Sequence, residues 1–174
     1  MATPRLFAGF LIVLVLASCN NNQGDKDAMT VVERPGEPEI YELGDDDKRM
    51  NDAIDSAVQT IHLFKAALLS KADSLEAFSL KVKYSMPDGY DEHIWVSDIR
   101  LEDSVFTGYI GNTPNVITEV KLGDFVRIRP ERISDWMYLA SNKLRGGFTI
   151  RAIRDKLSPQ ERTAFDGENG FIIE

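Results

Sequence analysis

The chain has two histidines, His62 and His93, and theirs are the only side chains whose ordinary pKa suits proton transfer near neutral pH. His93 lies beside Trp95, with Asp91, Glu92 and Asp98 close in sequence. Pairing His93 with Asp98, or with the more distant Asp135, would give a general base or the centre of a small hydrolase. Acid-rich turns are more often simply solvated, and His62 adjoins an apolar helical stripe where packing is the ordinary role. There is no Gly-x-Ser-x-Gly elbow, no His-Glu-x-x-His, no Gly-x-x-x-x-Gly-Lys and no Gly-x-Gly-x-x-Gly. No catalytic set is therefore assigned from the residues; His93, Asp98 and Asp135 stand as the enzymatic alternative. No metal site and no cofactor are expected.

The arginines and aromatic residues offer a different chemistry. Arg127 and Arg129 alternate with Val126 and Ile128, which places both guanidinium groups on one face of a strand. Arginine forks suit carboxylates and phosphates, so this is a candidate surface for an acidic partner. Arg132, Arg145, Arg151 and Arg154 are available to join it, and pairing with the chain's own acidic 88–119 segment is the competing role. Trp136 and Tyr138, two residues apart, share a strand face and complete the candidate binding set; for Trp95 core packing is the stronger reading.

Charge divides the chain. Over 174 residues the net charge is −8, with 43% hydrophobic and 28% charged residues, the balance of a globular protein rather than a disordered, collagenous or multi-span one. Much of the excess sits in residues 20–47, which hold nine acidic and two basic residues. From residue 48 onward 17 basic residues face 19 acidic ones, with the acids concentrated in 88–119 and the bases in 121–162. A chain without a strongly basic face is a poor nucleic-acid binder.

The N-terminus carries an address. Arg5 precedes an unbroken apolar run, Leu6 to Leu16, whose eleven residues fall well short of the ~20 needed to span a bilayer. The run ends in Leu16-Ala17-Ser18-Cys19, which resembles the bacterial lipobox, and Cys19 is the single cysteine of the chain. Residues 1–18 are thus expected to be a lipoprotein signal peptide, with Cys19 acylated by palmitate-class chains and anchored in the bilayer of the cell envelope. Residues 19–47 are expected to form an acidic flexible tether, since such a composition cannot bury enough apolar surface to offset its ordering entropy. Val31, Val32, Ile40 and Tyr41 are the exception that can dock as a short strand.

Residues 48–174 must then position the candidate groups as a single domain. A helix capped by Asp46 or Asp47 and running to about Lys71 is predicted from the stripe Met50, Ile54, Ala57, Ile61, Phe64 and Leu68, widened by Val58, Leu63 and Leu69. The period switches to two at Phe78–Tyr84, and strands are expected at His93–Ile99, Val105–Ile110, Phe125–Ile128 and Ile133–Leu139, with a short one at Val116–Lys121. The segment 148–157 fits a helix or a strand, a helix from about Thr149 being favoured, and Ser158-Pro159-Gln160-Glu161 is a helix start with its own capping box. The fold class is α+β: a mainly antiparallel sheet with one long N-terminal helix and one or two C-terminal helices packed on it.

Four strings occur in order: Glu92-His93-Ile94-Trp95-Val96, Gly123-Asp124-Phe125-Val126, Ile133-Ser134-Asp135-Trp136-Met137-Tyr138 and Gly146-Gly147-Phe148-Thr149-Ile150-Arg151. Together they resemble the bacterial YegJ-type family, the domain of unknown function numbered 2314, over roughly Phe78 to Phe171. The resemblance implies a small α+β domain, often exported or found beside toxin-immunity genes, and supplies no catalytic residue. The combined expectation is a non-catalytic protein-binding module on a lipid anchor, with a toxin as one form of partner.

Overall fold

The computed structural model describes residues 29–34, 37–42, 47–87 and 89–174. The expected signal peptide (residues 1–18), Cys19 and most of the acidic stretch lie outside the described residues. Helix α1 (Lys48–Ser70) begins where the sequence supplies a cap: Asp47 stands in extended backbone and accepts a 2.9 Å bond from Met50 N–H. Its carboxylate also pairs with Lys156. Burial opposes ionisation of Asp47, but Lys156 and the helix N–H groups outweigh it and hold the pKa below its ordinary value. Along the predicted stripe Ala57 and Phe64 are fully buried, and Ile61 and Leu68 pack beside them. Val58, Leu63 and Leu69 do not widen the stripe; they are exposed, because the helix meets a single sheet face and buries one narrow side.

That sheet contains β3 (Leu75–Ser85), β4 (Asp91–Glu102), β5 (Val105–Ile110), β6 (Phe125–Ile128), β7 (Ile133–Ala140) and β8 (Lys143–Gly146). Their order across the sheet is β6-β5-β4-β3-β7-β8, and each neighbouring pair is antiparallel. Asp103 and Ser104 turn β4 into β5 with φ of 48° and 67°, the left-handed pair that a two-residue hairpin requires. The expected strand at Val116–Lys121 does not form. Residues 111–124 run as an irregular loop, held because the buried Glu92 carboxylate accepts N–H bonds from Asn115, Val116 and Ile117 at 2.5, 3.0 and 3.0 Å.

Phe78, Leu80 and Val82 of β3, Ile94 and Val96 of β4 and Phe106 and Ile110 of β5 form one apolar cluster with Ala57 and Phe64 of α1. Leu80, Val82, Ile94, Val96 and Ile110 are essentially inaccessible, and Phe64 is ringed by Phe78, Phe106 and Trp136 at centroid distances of 5.6 to 5.9 Å. Residues 148–156 are helical, as α2 (Phe148–Lys156), followed by α3 (Pro159–Asn169), whose Ser158–Glu161 capping box is present. Both helices and Ile173 close a second apolar cluster around Leu144, Ile150, Ile153, Leu157 and Phe165. Ahead of α1, β1 (Thr30–Arg34) pairs antiparallel with β2 (Glu37–Glu42), and Tyr41 meets Phe165 edge-on at 5.8 Å. Val31, Val32, Ile40 and Tyr41, the exception allowed within the expected tether, thus lie in paired strands. No helix among the described residues is long and apolar enough to cross a membrane.

Candidate functional site

The sheet face opposite α1 gathers the polar side chains, and register explains how. Lys81 lies opposite Trp95 on β4 and opposite Asp135 on β7, so the three side chains leave the same face. Between Lys81 and Val82 the pairing with β7 slips by one residue, from Asp135 to Ile133, leaving Ser134 as the extra residue of a bulge. The bulge aims Ser134 at the same neighbourhood as Asp135. Ser134 Oγ and His93 Nδ1 share a 2.7 Å hydrogen bond, and Ser134 also reaches the Lys81 carbonyl at 3.3 Å.

Asp135 is fully buried, and its carboxylate is surrounded by donors. Oδ1 accepts from the N–H groups of Trp136 (2.7 Å) and Phe148 (3.2 Å), and Oδ2 from the N–H and hydroxyl of Thr149 (2.8 and 2.7 Å). Phe148 and Thr149 open α2, whose N-cap Gly147 has no side chain to offer, so Asp135 caps this helix from across the sheet. Lys81 Nζ donates to Thr149 Oγ1 at 3.2 Å and lies 5.4 Å from the centre of the Trp95 ring. Burial raises the pKa of Asp135 against the pull of Thr149 and Lys81, and lowers that of Lys81 against the attraction of Asp135. His93 is held neutral: burial and then the Lys81 charge lower its pKa to about 4, with Asp91 pulling the other way.

Two of the three residues expected to form a base, His93 and Asp135, are thus brought to one face but engaged separately. His93 bonds Ser134, Asp135 caps α2, and Asp98 lies elsewhere. Asp98 stands in left-handed backbone (φ 52°) at a second bulge, where it lines a depression of about 300 Å³ with Ala77, Phe78, Ser79, Ser97 and Ile99. His62 is exposed on α1, its ring nitrogen 3.2 Å from the Gln59 carbonyl. Among the described residues no cluster of three or more His, Cys, Asp or Glu side chains could hold a metal ion.

The expected binding set also separates. Trp136 and Tyr138 do share a face, their rings stacked at 6.0 Å, but it is the face under α1. Trp136 is 3% exposed and donates from Nε1 to the Ala57 carbonyl at 3.0 Å, so it belongs to the core and presents no ring to a ligand. Arg127 and Arg129 are exposed, Arg127 on the edge strand β6 and Arg129 leading into the 3₁₀ turn Pro130–Arg132. Their neighbours are different aromatics from those expected. Tyr109 and Phe125, paired across β5 and β6, contact each other edge-on at 5.5 Å and remain 42% and 57% exposed, with Leu122 57% exposed in the adjoining loop. Lys81, Ser134 and Thr149 were missed in sequence, since each reads as an ordinary polar residue until the bulge and the β3–β7 pairing bring them together.

A six-stranded antiparallel sheet with one long helix across one face and two shorter helices at its end defines a small α+β domain in which a partly buried Lys81 meets the buried Thr149 and Asp135. Residues 47–172 match the family model described as an uncharacterized protein conserved in bacteria, the domain of unknown function numbered 2314, and the chain belongs to that family. It is 36% identical over 107 residues to the uncharacterized protein YegJ of Escherichia coli K12, covering 62% of this chain and 68% of that protein. It is 32% identical over 144 residues to a Neisseria meningitidis serogroup B protein bearing the working name of an ankyrin repeat protein, covering 78% of this chain. The chain spans 56% of the length of that second relative. No solved structure matches it.

Proposed function

We propose that this chain is a lipid-anchored lipoprotein of the bacterial cell envelope whose α+β domain binds another protein without catalysing a reaction. The observation that carries the binding reading is the outer edge of the sheet at β6, which pairs with no further strand among the described residues. There Tyr109, Phe125 and Leu122 stand exposed beside Arg127 and Arg129, the mixture of aromatic and arginine side chains in which binding hot spots concentrate. An edge strand also leaves backbone N–H and C=O groups unpaired along its outer side, a template for an incoming segment. The anchor reading rests on the Leu16-Ala17-Ser18-Cys19 string behind its apolar run. The immunity-like form, with a toxin as partner, rests on the gene context implied by the family. The competing reading, an envelope hydrolase built on His93, needs that imidazole to exchange protons near neutral pH, and burial holds it at about 4.

Two comparisons test the proposal. Capture from solubilised membranes with the wild-type domain is compared with Phe125→Asp/Arg127→Glu, and with Lys65→Glu as a surface control on α1. At least one protein is expected to be retained by wild type and Lys65→Glu and lost by the double variant; identical sets would overturn the binding reading. For the anchor, Cys19→Ala is expected to move the protein out of the membrane fraction, and continued retention would overturn it.

A further inference from the structure

Among the described residues, one buried side-chain polar atom has no hydrogen-bond partner: Thr107 Oγ1, on a residue 1% exposed. Native proteins rarely leave such a group unpaired, because desolvating a hydroxyl without compensation is unfavourable, so its place in the sheet asks for an explanation. Thr107 is on β5, directly opposite Arg100 of β4 on one side and Arg127 of β6 on the other. Residues opposite one another in antiparallel strands share a face, so the order across the sheet is guanidinium, hydroxyl, guanidinium. It is the face away from α1, since Phe106 on β5 points into the core. Strands are about 4.8 Å apart, so two long arginine side chains rooted on either side of β5 can converge above Thr107.

Neither guanidinium is engaged: among the described residues the side chains of Arg100 and Arg127 have no ion pair and no hydrogen bond, their backbones alone joining the ladder. Both are exposed. Glu102, at the far end of β4, shares the face and is also exposed, so two guanidinium groups face one carboxylate across this stretch. The next row of the same face holds Ser97, Tyr109 and Phe125. An oxyanion is what two guanidinium forks and a hydroxyl bind in common, each oxygen accepting one or two of the available donors.

We propose that Arg100, Thr107 and Arg127 form an oxyanion site that takes the carboxylate of an acidic side chain on the protein partner, with Tyr109 and Phe125 flanking it. The proposal rests on the reading of this edge as a protein-binding surface and names the chemistry by which the partner is recognised. An acidic residue bound here presents its carboxylate to the arginines, and as their side chains part to take it, an oxygen reaches the otherwise covered Thr107 hydroxyl and supplies the acceptor it lacks.

The test is an NMR titration of the folded domain with two probes, the blocked dipeptide acetyl-Glu-Glu-amide and inorganic phosphate, following the Nε–H signals of Arg100 and Arg127 and the amide of Thr107. The dipeptide is expected to saturate these signals with a dissociation constant on the order of 1 mM, the range of one isolated charged contact. Arg100→Gln/Arg127→Gln should weaken it roughly tenfold or more, while Arg145→Gln leaves it unchanged. Thr107→Val, similar in shape but without the hydroxyl, should weaken it by a smaller factor with the rest of the spectrum intact. Absence of saturation, saturation by phosphate alone, or an equal response in the double variant would each overturn the proposal. The capture experiment above uses the Phe125 patch and is read independently, so failure of the wider binding reading and failure of the anion site are distinguishable.

Discussion

Asp135 is the residue whose removal the structure makes most consequential. Asp135→Ala leaves the N–H groups of Trp136, Phe148 and Thr149 and the Thr149 hydroxyl without their acceptor, at a position with no access to water. Each orphaned buried donor costs about 1–3 kcal/mol, though the bonds share one carboxylate and their losses do not add fully. The same change also removes a nearby negative charge from the partly buried Lys81, which reaches the carboxylate only through Thr149 Oγ1. An overall loss of about 4 kcal/mol follows, a large fraction of the ~5–15 kcal/mol that stabilises a domain of this size. Asp135→Asn is expected to be milder, at about 2–3 kcal/mol, because the amide keeps one acceptor and turns its NH₂ on donors at the other position. Lys81→Met removes the charge that Asp135 otherwise balances, so the double variant Lys81→Met/Asp135→Ala should be more stable than the sum of the singles predicts by at least about 1 kcal/mol. Urea denaturation followed by tryptophan fluorescence, with unchanged m-values, reads the four variants against wild type. An Asp135→Ala loss below about 1 kcal/mol, or additivity within about 0.5 kcal/mol, would refute the account of this cluster.

Further outcomes follow from the same structure. Since the folded pKa of His93 is lowered to about 4 from 6.5, the folded state binds fewer protons than the unfolded chain between those values. Its contribution to stability is complete above pH 6.5 and is lost as the pH falls through about 4, to a limit of about 3 kcal/mol; His93→Gln should flatten the stability profile in that window, and an unchanged profile would contradict the burial of the ring. Glu92→Gln should raise amide hydrogen exchange at Asn115, Val116 and Ile117, whose N–H groups the carboxylate holds, and leave exchange in α1 unaltered if the effect is local. Gly146→Ala should unfold the domain or cost more than about 3 kcal/mol by thermal denaturation, since Gly146 has φ of 70° and a Cβ there would collide with the Trp136 backbone and ring.

What was legible in the sequence is what local chemistry decides. Asp47 before an apolar stripe, Ser158-Pro159-Gln160-Glu161 and the alternation in Phe125–Ile128 depend on spacings of one to four residues, and the elements stand where those spacings put them. The widening of α1 by Val58, Leu63 and Leu69 failed because periodicity reports apolar spacing but not how much sheet is available to cover it. Val116–Lys121 has strand-forming residues but joins no ladder, and the Glu92 carboxylate takes up its first N–H groups instead. The polar cluster was legible only in part. His93 and Asp135 stood out by residue type, but their partners Ser134, Thr149 and Lys81 depend on a single-residue slip between β3 and β7, strands far apart in the chain. Trp136 was placed in the binding set because aromatic and acidic neighbours look alike on either face; only the pairing with β3 shows that its ring lies under α1. The exposed aromatic pair, Tyr109 and Phe125, becomes visible only once β5 and β6 are seen as the outer pair of the sheet.

The central claim, that the β5–β6 edge receives a protein partner, is tested most directly by a photoreactive phenylalanine analogue placed at Phe125 in the full-length protein in cells, with the same analogue at Lys65 on α1 as control. Irradiation is expected to give a discrete adduct from position 125, absent from position 65 and strongly reduced when Arg127→Glu is added. No adduct at position 125, or one of equal yield at position 65, would contradict the account.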